Sequence, residues 1–398
     1  MKIGIVGGSL AGLTAALVLR DAGHSVTVYE RRPEALMGFG TGIVVQPELA
    51  RYLVERMGAD VAEFSIPSHV MRYFDGQTGS LRGEIAANWR FTSYDAVYRR
   101  LHADFGSNGY RLGSPLVGFS QTAKAVQLRF ASGERATHEV VIGADGGQST
   151  VRQRLTGISP HYAGYISWRG LILQADVSSE TWQHFDGAFT YGLLENSHII
   201  AYPVPTVAAQ QEGEHMINFQ WYWNVAEGAD LDEMLTDREG QLRSPSVRFE
   251  LIQTRYLREL QARAREELCP PFAELITSAR RPFITMIADA DVPGMAFERV
   301  CLIGDAAITP RPHAAAGAAK AAAEAWALAE AIEQFDDGFE SFTTWEQRQL
   351  AVGRAYLVKV RRMGTLLQHG GEFRPGDPVN RFGFPREAEP VKGNHQLD

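Results

Sequence analysis

The sequence predicts a mixed α/β chain, α+β overall, in which a parallel-sheet domain is interrupted by an antiparallel-sheet domain and followed by a C-terminal helical region. Three observations carry this. Residues 2–30 read as strand, glycine turn, apolar helix and strand, which is a βαβ unit. Phe189 to Leu194, His198 to Tyr202 and Met216 to Trp223 alternate or run apolar with strand periodicity, the first two flanking Asn196-Ser197 as a hairpin. Arg299 to Ile303 then supplies one more buried strand, with a helical stretch beyond it.

At 398 residues with 45% hydrophobic content, the chain is long enough for two or three domains with a substantial core. Its 39 basic and 47 acidic residues give a net charge of -8 without an extended Lys/Arg cluster, which argues against a nucleic-acid partner. Cys269 and Cys301 are too few and too far apart for a disulfide framework or a cysteine metal site, and no other metal-ligand cluster is expected. A reducing cytoplasm fits that usage. The N-terminus opens directly on a strand, and the Ala-rich stretch Ala314 to Ile332 carries Lys320, Glu324 and Glu330, so neither a leader nor a membrane span is expected.

Lys2 to Val6 is an apolar run, Leu13 to Leu19 an apolar helical stretch and Val26 to Glu30 a second strand. Gly38-Phe39-Gly40-Thr41-Gly42 follows no strand, so it is not read as a second phosphate turn. Val126 to Phe130 and Glu139 to Ile142 read as a ribbon around Ser132-Gly133. The antiparallel texture begins near Ser159, and Pro203-Val204-Pro205 is expected to end a strand at a domain junction. Pro312 to Ile332 reads as one helix with proline at its start. From Trp345, Gln349, Val352, Tyr356, Val360, Met363 and Leu367 recur at helical spacing, and from His369 a Gly- and Pro-rich tail is expected to be anchored by Phe373, Phe382 and Phe384.

Gly7-x-Ser9-x-x-Gly12, preceded by a strand and followed by Glu30 at the end of the next strand, has the arrangement that binds a dinucleotide. The first glycine permits the tight bend and the last lets helix and strand pack closely. The helix N-terminus offers N–H groups to a pyrophosphate, and the acid accepts from a ribose. Ser9 stands where the middle glycine is usual, and its Cβ narrows the phosphate approach.

Gly143-Ala144-Asp145-Gly146-Gly147-Gln148-Ser149-Thr150-Val151-Arg152 and Gly304-Asp305-Ala306-Ala307, with Pro312 and Gly317 beyond, resemble the second and third motifs of the single-component (class A) FAD-dependent aromatic hydroxylases. The resemblance covers essentially the whole chain. It implies a discontinuous, Rossmann-like FAD domain of the glutathione-reductase type over residues 1–67, 88–158 and 283–332. A substrate domain over 68–87 and 159–282 and a C-terminal helix and tail over 333–398 complete the division. FAD contacts are implied at Gly7, Ser9, Leu10, Gly12, Glu30 and Arg31 from the first motif region, and at Val45, Gln46, Val117 and Asp145 in the middle. Asp305, Ala315, Ala316 and Gly317 supply the last ones. Three positions depart from the family: Ile308 replaces a common histidine, Ala315-Ala316-Gly317-Ala318-Ala319 replaces a Gly-x-Gly-x-Asn stretch, and Ser93 or Tyr94 stands where an arginine is usual.

Phe39 to Pro47, Trp89 to Asp95, Asn218 to Gly228 and Thr309 to Gly317 are similar to a branch of that family acting on dihydroxypyridines in bacterial nicotine breakdown. This implies hydroxylation of 2,6-dihydroxypyridine to 2,3,6-trihydroxypyridine through a flavin C4a-hydroperoxide, with NADH or NADPH as a transient co-substrate and O2. Another phenolic or N-heteroaromatic acid, an FAD-linked reductase or dehydrogenase and a flavin-binding sensor are the alternatives.

His313, in a Pro-rich turn before the flavin-facing helix, is the candidate for orienting or deprotonating the substrate, with Tyr202 as its partner in catalysis. Gly42, Tyr202, Phe219, Trp221, Pro310 and His313 are the expected substrate contacts. Tyr222, on one strand face with Asn218 and Gln220, is expected to meet water, and Arg311 to hold an anion or, more commonly, a surface ion-pair partner. Trp221-Tyr222-Trp223 is followed by Asn224-Val225 instead of Ile-Pro, which argues against a halogenase. The amphipathic helix and apolar tail could serve a homodimer contact.

Overall fold

A computed structural model of the chain describes residues 1–38, 41–206, 215–334, 340–371 and 373–383. The expected features at Phe39, Gly40 and Phe384 lie outside them.

The parallel sheet runs in the order Ala296–Phe297, Val300–Leu302, Val140–Gly143, Lys2–Val6, Ser25–Tyr29 and Tyr110–Arg111, antiparallel only in its first pair. Its central strands are continuous apolar runs because both faces are covered. Ile3, Ile5, Val140, Val141 and Ile142 are fully buried. Helices Leu10–Asp21, Tyr94–Phe105 and Gly317–Glu333 pack together beside this sheet. Alanines at the buried positions of the first and last, such as Ala15, Ala16, Ala322 and Ala325, let the two approach closely.

The predicted ribbon is corrected in detail. Val126–Phe130 pairs with Leu116–Gln121 and Arg135–His138 in a three-stranded sheet, whereas Val140–Gly143 joins the parallel sheet. An unbroken run of fully buried β-branched residues belongs to a strand covered on two faces.

The second sheet has nine strands, in the order Ser246–Val247, Phe283–Asp289, His161–Leu173, His215–Asn224, Ser197–Pro205, Ala188–Leu194, Ile66–Asp75, Leu81–Ser93 and Gly42–Val45. All neighbours are antiparallel except Ala188–Leu194 with Ile66–Asp75. The strand ends within Pro203-Val204-Pro205, at Pro205, and stays paired up to that end: Pro203 faces Ile217 and Pro205 faces His215. The ladder to Ala188–Leu194 stops at Thr190 and Ala201, so the prolines sit where the strand has a partner on one side only, which tolerates a missing N–H.

The pleat sorts this sheet's side chains into two cores. Trp168, Phe219, Trp221 and Trp223 face a core closed by helices Thr254–Glu267 and Pro270–Ser278. Tyr202, Gln220 and Tyr222 point to the opposite face, toward the cleft. The C-terminal helix runs from Glu340 to Gln368 and buries Tyr356, Val360, Met363 and Leu367. Beyond it, Phe373 packs on Tyr73 and Tyr191, and Phe382 on Phe189 and Trp89, as the tail reading expects for those two rings. Among the described residues no helix is long and apolar enough to cross a membrane.

Candidate functional site

The two sheets meet across a cleft of about 470 Å³ that joins segments far apart in sequence. Ser9, Leu10, Asp305, Ala315, Ala316 and Gly317 line one side, and Arg169, His198, Tyr202, Gln220, Tyr222 and His313 the other.

The glycine turn is built as its spacing predicts. Gly7 adopts φ +105°, and a side chain there would collide with the Ala144 carbonyl, while one at Gly12 would collide with the Gly7 carbonyl. Gly7 N–H donates to the Tyr29 carbonyl at 2.9 Å, which ties the turn to the second strand. Glu30, nearly buried, accepts from Gly8 N–H at 3.0 Å and Arg32 N–H at 2.9 Å. It holds the loop's shape while keeping lone pairs for a ribose. Ser9 shares a 2.7 Å hydrogen bond with the Tyr94 hydroxyl, so two of the departures from the usual pattern are bonded to each other in the lining of the cleft.

The second motif is mainly structural. Asp145 accepts from Ser149 Oγ and from the N–H groups of Thr150 at 2.7 Å and Val151 at 3.2 Å, capping helix Thr150–Thr156. The cleft is lined by its neighbours Ala144 and Gly146. Arg152, 1% exposed, donates to the carbonyls of Gly147, Asp305 at 3.0 Å and Ala306 at 3.3 Å, stitching the second motif to the third.

Asp305 sits in the turn after Val300–Leu302, lines the cleft, and its backbone carbonyl accepts from Thr309 Oγ1 at 2.7 Å. The expected helix from Pro312 is broken. Pro312–Ala314 forms one 3₁₀ turn, Ala315 takes a left-handed φ of +52°, and the α-helix begins at Gly317. The break turns the new helix's N-terminus into the cleft, where the N–H groups of its first turn have no intrahelical partner.

The other side is an aromatic chamber. His313, 5% exposed, shares a 2.7 Å hydrogen bond between Nε2 and the Tyr165 hydroxyl. Burial, reinforced by Arg311 and Arg169, pushes its pKa down to about 3, so the near-neutral titration point expected of it is lost. Burial pushes Tyr165 up to about 12. His198 stacks on Tyr222 at 4.3 Å and 10°, and its Nδ1 lies 2.6 Å from Gln368 Nε2. Tyr222 donates to Gln220 Oε1 at 2.8 Å. Tyr202 stacks on Phe189 at 4.8 Å and 18°. Gly364 of the C-terminal helix leaves room for the Tyr165–His313 pair: a Cβ there would fall 2.5 Å from the Tyr165 oxygen.

Of the expected contacts, Gly42, Pro310, Tyr202 and His313 line the cleft together with Ser9, Leu10, Asp305 and Ala315 to Gly317. Phe219 and Trp221 do not; the pleat puts them in the core on the opposite sheet face. Tyr222 is correspondingly fully buried at the cleft and does not meet water. Val117 is 43% exposed on the three-stranded sheet and Arg31 is exposed beyond Glu30, neither lining the cleft. Val45 is buried beside Val44, which does line it, and Gln46 donates to the Ala315 carbonyl at 2.9 Å. Arg311 is not at the surface: it pairs with buried Asp289 at 2.7 Å. Sequence reasoning missed Tyr165, Arg169, Gln220 and Gln368. The strand period could have flagged Gln220 with Tyr222, whereas nothing local marks the others.

The donor set fits FAD. The turn at Gly7 to Gly12 is kept tight by glycines whose surroundings admit no side chain and brings Ser9 and Leu10 to the cleft, Asp305 presents a carboxylate to it, and a helix N-terminus faces the same space. Among the described residues no group of His, Cys, Asp and Glu could hold a metal ion.

Comparison with known proteins agrees. Residues 5–41 match the NAD(P)-binding Rossmann-like domain family and residues 162–289 the FAD binding domain-like family. The chain is 51% identical over 389 residues, 98% of this chain and 97% of the relative, to the 2,6-dihydroxypyridine 3-monooxygenase of Paenarthrobacter nicotinovorans. It is 26% identical to the 3-hydroxybenzoate 6-hydroxylase of Klebsiella oxytoca over 93% of this chain and 90% of the relative. The solved 2,6-dihydroxypyridine-3-hydroxylase from Arthrobacter nicotinovorans superposes with a TM-score of 0.94 at 51% identity, covering 98% of both chains. Klebsiella pneumoniae HpxO complexed with FAD and uric acid shares the fold, at a TM-score of 0.75 and 20% identity over 93% of this chain and 89% of that one. With half its residues identical along the full length of a monooxygenase, the chain belongs to the single-component FAD-dependent aromatic hydroxylases, enzymes that use NAD(P)H and O2.

Proposed function

We propose that the chain hydroxylates 2,6-dihydroxypyridine to 2,3,6-trihydroxypyridine, with NADH reducing one oxygen atom of O2 to water while the other enters the ring. The observation that carries this is the continuity of the cleft: the flavin side opens directly into a chamber walled by the rings of Tyr191, His198, Tyr202, Tyr222 and His313, a lining suited to an aromatic ring. The relative named for this reaction supports the substrate.

FAD would be held by the glycine turn, Glu30, Asp305 and the N-terminus of helix Gly317–Glu333, and would supply the hydride acceptance and oxygen activation the side chains lack. The chain's own contribution is orientation and dryness. His313, neutral throughout the neutral range, offers one donor and one acceptor nitrogen and fixes Tyr165 through Nε2; its weak basicity makes it an orienting group for the substrate's oxygens and a poor store for a proton. Tyr202, wedged between Phe189 and Gly42, sets the chamber's floor.

The domain division at residues 1–67, 88–158 and 283–332 against 68–87 and 159–282, a cytoplasmic location, a homodimer and a place in nicotine breakdown belong to the same proposal. Two buried free cysteines support the location. The test is NADH oxidation stimulated by 2,6-dihydroxypyridine under labelled dioxygen. One labelled oxygen in trihydroxypyridine is expected. Substrate consumed without label, or turned over anaerobically with an artificial acceptor, overturns the reading in favour of a dehydrogenase.

A further inference from the structure

Two arginines line the cleft, and their surroundings differ. Arg311 is ion-paired and its Nε is hydrogen-bonded, to an Asp289 carboxylate that it shares with Arg361. Arg169 makes no ion pair among the described residues, and its Nε is buried without a hydrogen-bond partner. Asp305, the one carboxylate lining the cleft among the described residues, belongs to the flavin side. A buried donor left unpaired on a guanidinium is costly unless a ligand completes it.

The fold explains why this arginine is held there. Arg169 lies in the middle of strand His161–Leu173, hydrogen-bonded on both sides, opposite Gln220 on one neighbour and Phe283 on the other. Its side chain emerges on the cleft face with Gln220 and is within electrostatic reach of Tyr202, Tyr222 and His313. Those groups are neutral, so the positive charge has no opponent in the chamber.

We propose that Arg169 is the anion anchor of this chamber, binding the exocyclic oxygen of an ionised hydroxy-N-heteroaromatic ring, with Gln220 beside it, and so deciding which ring carbon faces the flavin. The inference rests on the reading of the cleft as a hydroxylase's substrate chamber. It adds the form of substrate selected, the oxyanion, and the group that selects it. A guanidinium suits this task because it is planar, permanently charged and weakly hydrated. An oxyanion held against it is also the more electron-rich ring.

The test uses FAD-loaded protein and two probes, 2,6-dihydroxypyridine and the neutral, similarly sized 2,6-difluoropyridine, titrated through the change each causes in flavin absorbance. Losing a charged hydrogen bond predicts that Arg169→Met weakens dihydroxypyridine binding by about 10- to 100-fold and difluoropyridine binding by no more than about twofold. Arg169→Lys should recover part of the loss, and more of the NADH oxidised by Arg169→Met should end as hydrogen peroxide. Equal weakening of both probes, or unchanged dihydroxypyridine affinity, overturns the anchor. If Arg169→Met loses FAD, Arg169→Lys decides alone: it keeps the charge without the fork and should bind dihydroxypyridine severalfold more weakly at normal flavin content, and wild-type affinity overturns the anchor. If the wild type ignores dihydroxypyridine, the substrate reading fails by itself. The anchor is then judged with 3,6-dihydroxypyridazine, an N-heteroaromatic that is ionised at neutral pH, against 3,6-difluoropyridazine: a preference for the former that Arg169→Met abolishes supports it, and no such preference overturns it.

Discussion

Removing either charge of the Lys320–Glu324 pair should destabilise the flavin-binding half far more than removing both. The pair lies on helix Gly317–Glu333 with Nζ 2.8 Å from Oε1 and side chains only 1% and 2% exposed. Glu324 also accepts from Gly304 N–H at 2.7 Å, and Lys320 donates to the Gly304 carbonyl at 3.1 Å. Both polar groups of the residue just before Asp305 are therefore gripped by one buried ion pair, at a position whose φ of +61° requires glycine. Lys320→Met leaves an unbalanced buried carboxylate and Glu324→Gln an unbalanced ammonium, each costing about 3–5 kcal/mol. The double variant Lys320→Met/Glu324→Gln buries no charge and keeps an amide oxygen for Gly304 N–H. It loses the bond to the Gly304 carbonyl, about 1–3 kcal/mol. The cycle thus predicts a coupling of at least about 3 kcal/mol, read from urea unfolding of apo and FAD-loaded protein. Burial raises the Glu324 pKa, so in Lys320→Met the carboxyl takes up a proton more readily folded than unfolded. That variant should be least impaired in mild acid and lose stability as pH rises through the raised pKa. Additive single and double effects would refute the account of a coupled clamp.

Other outcomes follow from the same geometry. Asp305→Ala should weaken FAD binding by about 10- to 100-fold, the worth of a charged hydrogen bond, measured as flavin released on dilution; full retention would remove Asp305 from the cradle. Gly42→Ala would place a Cβ 2.5 Å from the Tyr202 ring, so substrate turnover should fall while bound flavin stays near wild type in the absorbance spectrum. His313→Asn should lower turnover more than flavin content, and the wild-type kcat/KM profile should show no inflection from His313 near the usual imidazole range, since burial holds it neutral to about 3. His198 is likewise held well below its ordinary value. Unfolded imidazoles protonate near pH ~6.5, so stability should fall as pH drops below that, by up to about 1.4 kcal/mol per pH unit for each of these two histidines. Urea midpoints that stay flat from about pH 7 to about pH 5 would contradict the buried neutral state of both rings.

The parts legible in the sequence are those whose physics is local. Gly7, Ser9, Gly12 and Glu30 declare a turn because backbone clearance and strand ends recur at fixed spacing, and the third motif announces Asp305 in the same way. The apolar run Val140 to Gly143 was readable as a strand but not as a member of the parallel sheet, since sheet partnership is a long-range choice. Phe219 and Trp221 show the limit most clearly. Alternation revealed two faces of one strand, and only the helices Thr254–Glu267 and Pro270–Ser278 decided which face they cover.

By itself the sequence determined that a dinucleotide-type turn, an antiparallel sheet and a late strand–helix unit occur in that order, because period and glycine placement are properties of short segments. The tertiary structure alone decided that Arg169, Tyr222 and His313 share one chamber, with Tyr165 hydrogen-bonded to His313, and that Asp145 caps a helix. It also decided that Ala315 breaks the helix open toward the cleft. Each of these depends on packing between residues far apart in the chain, and burial then sets their charge states in ways no local pattern encodes.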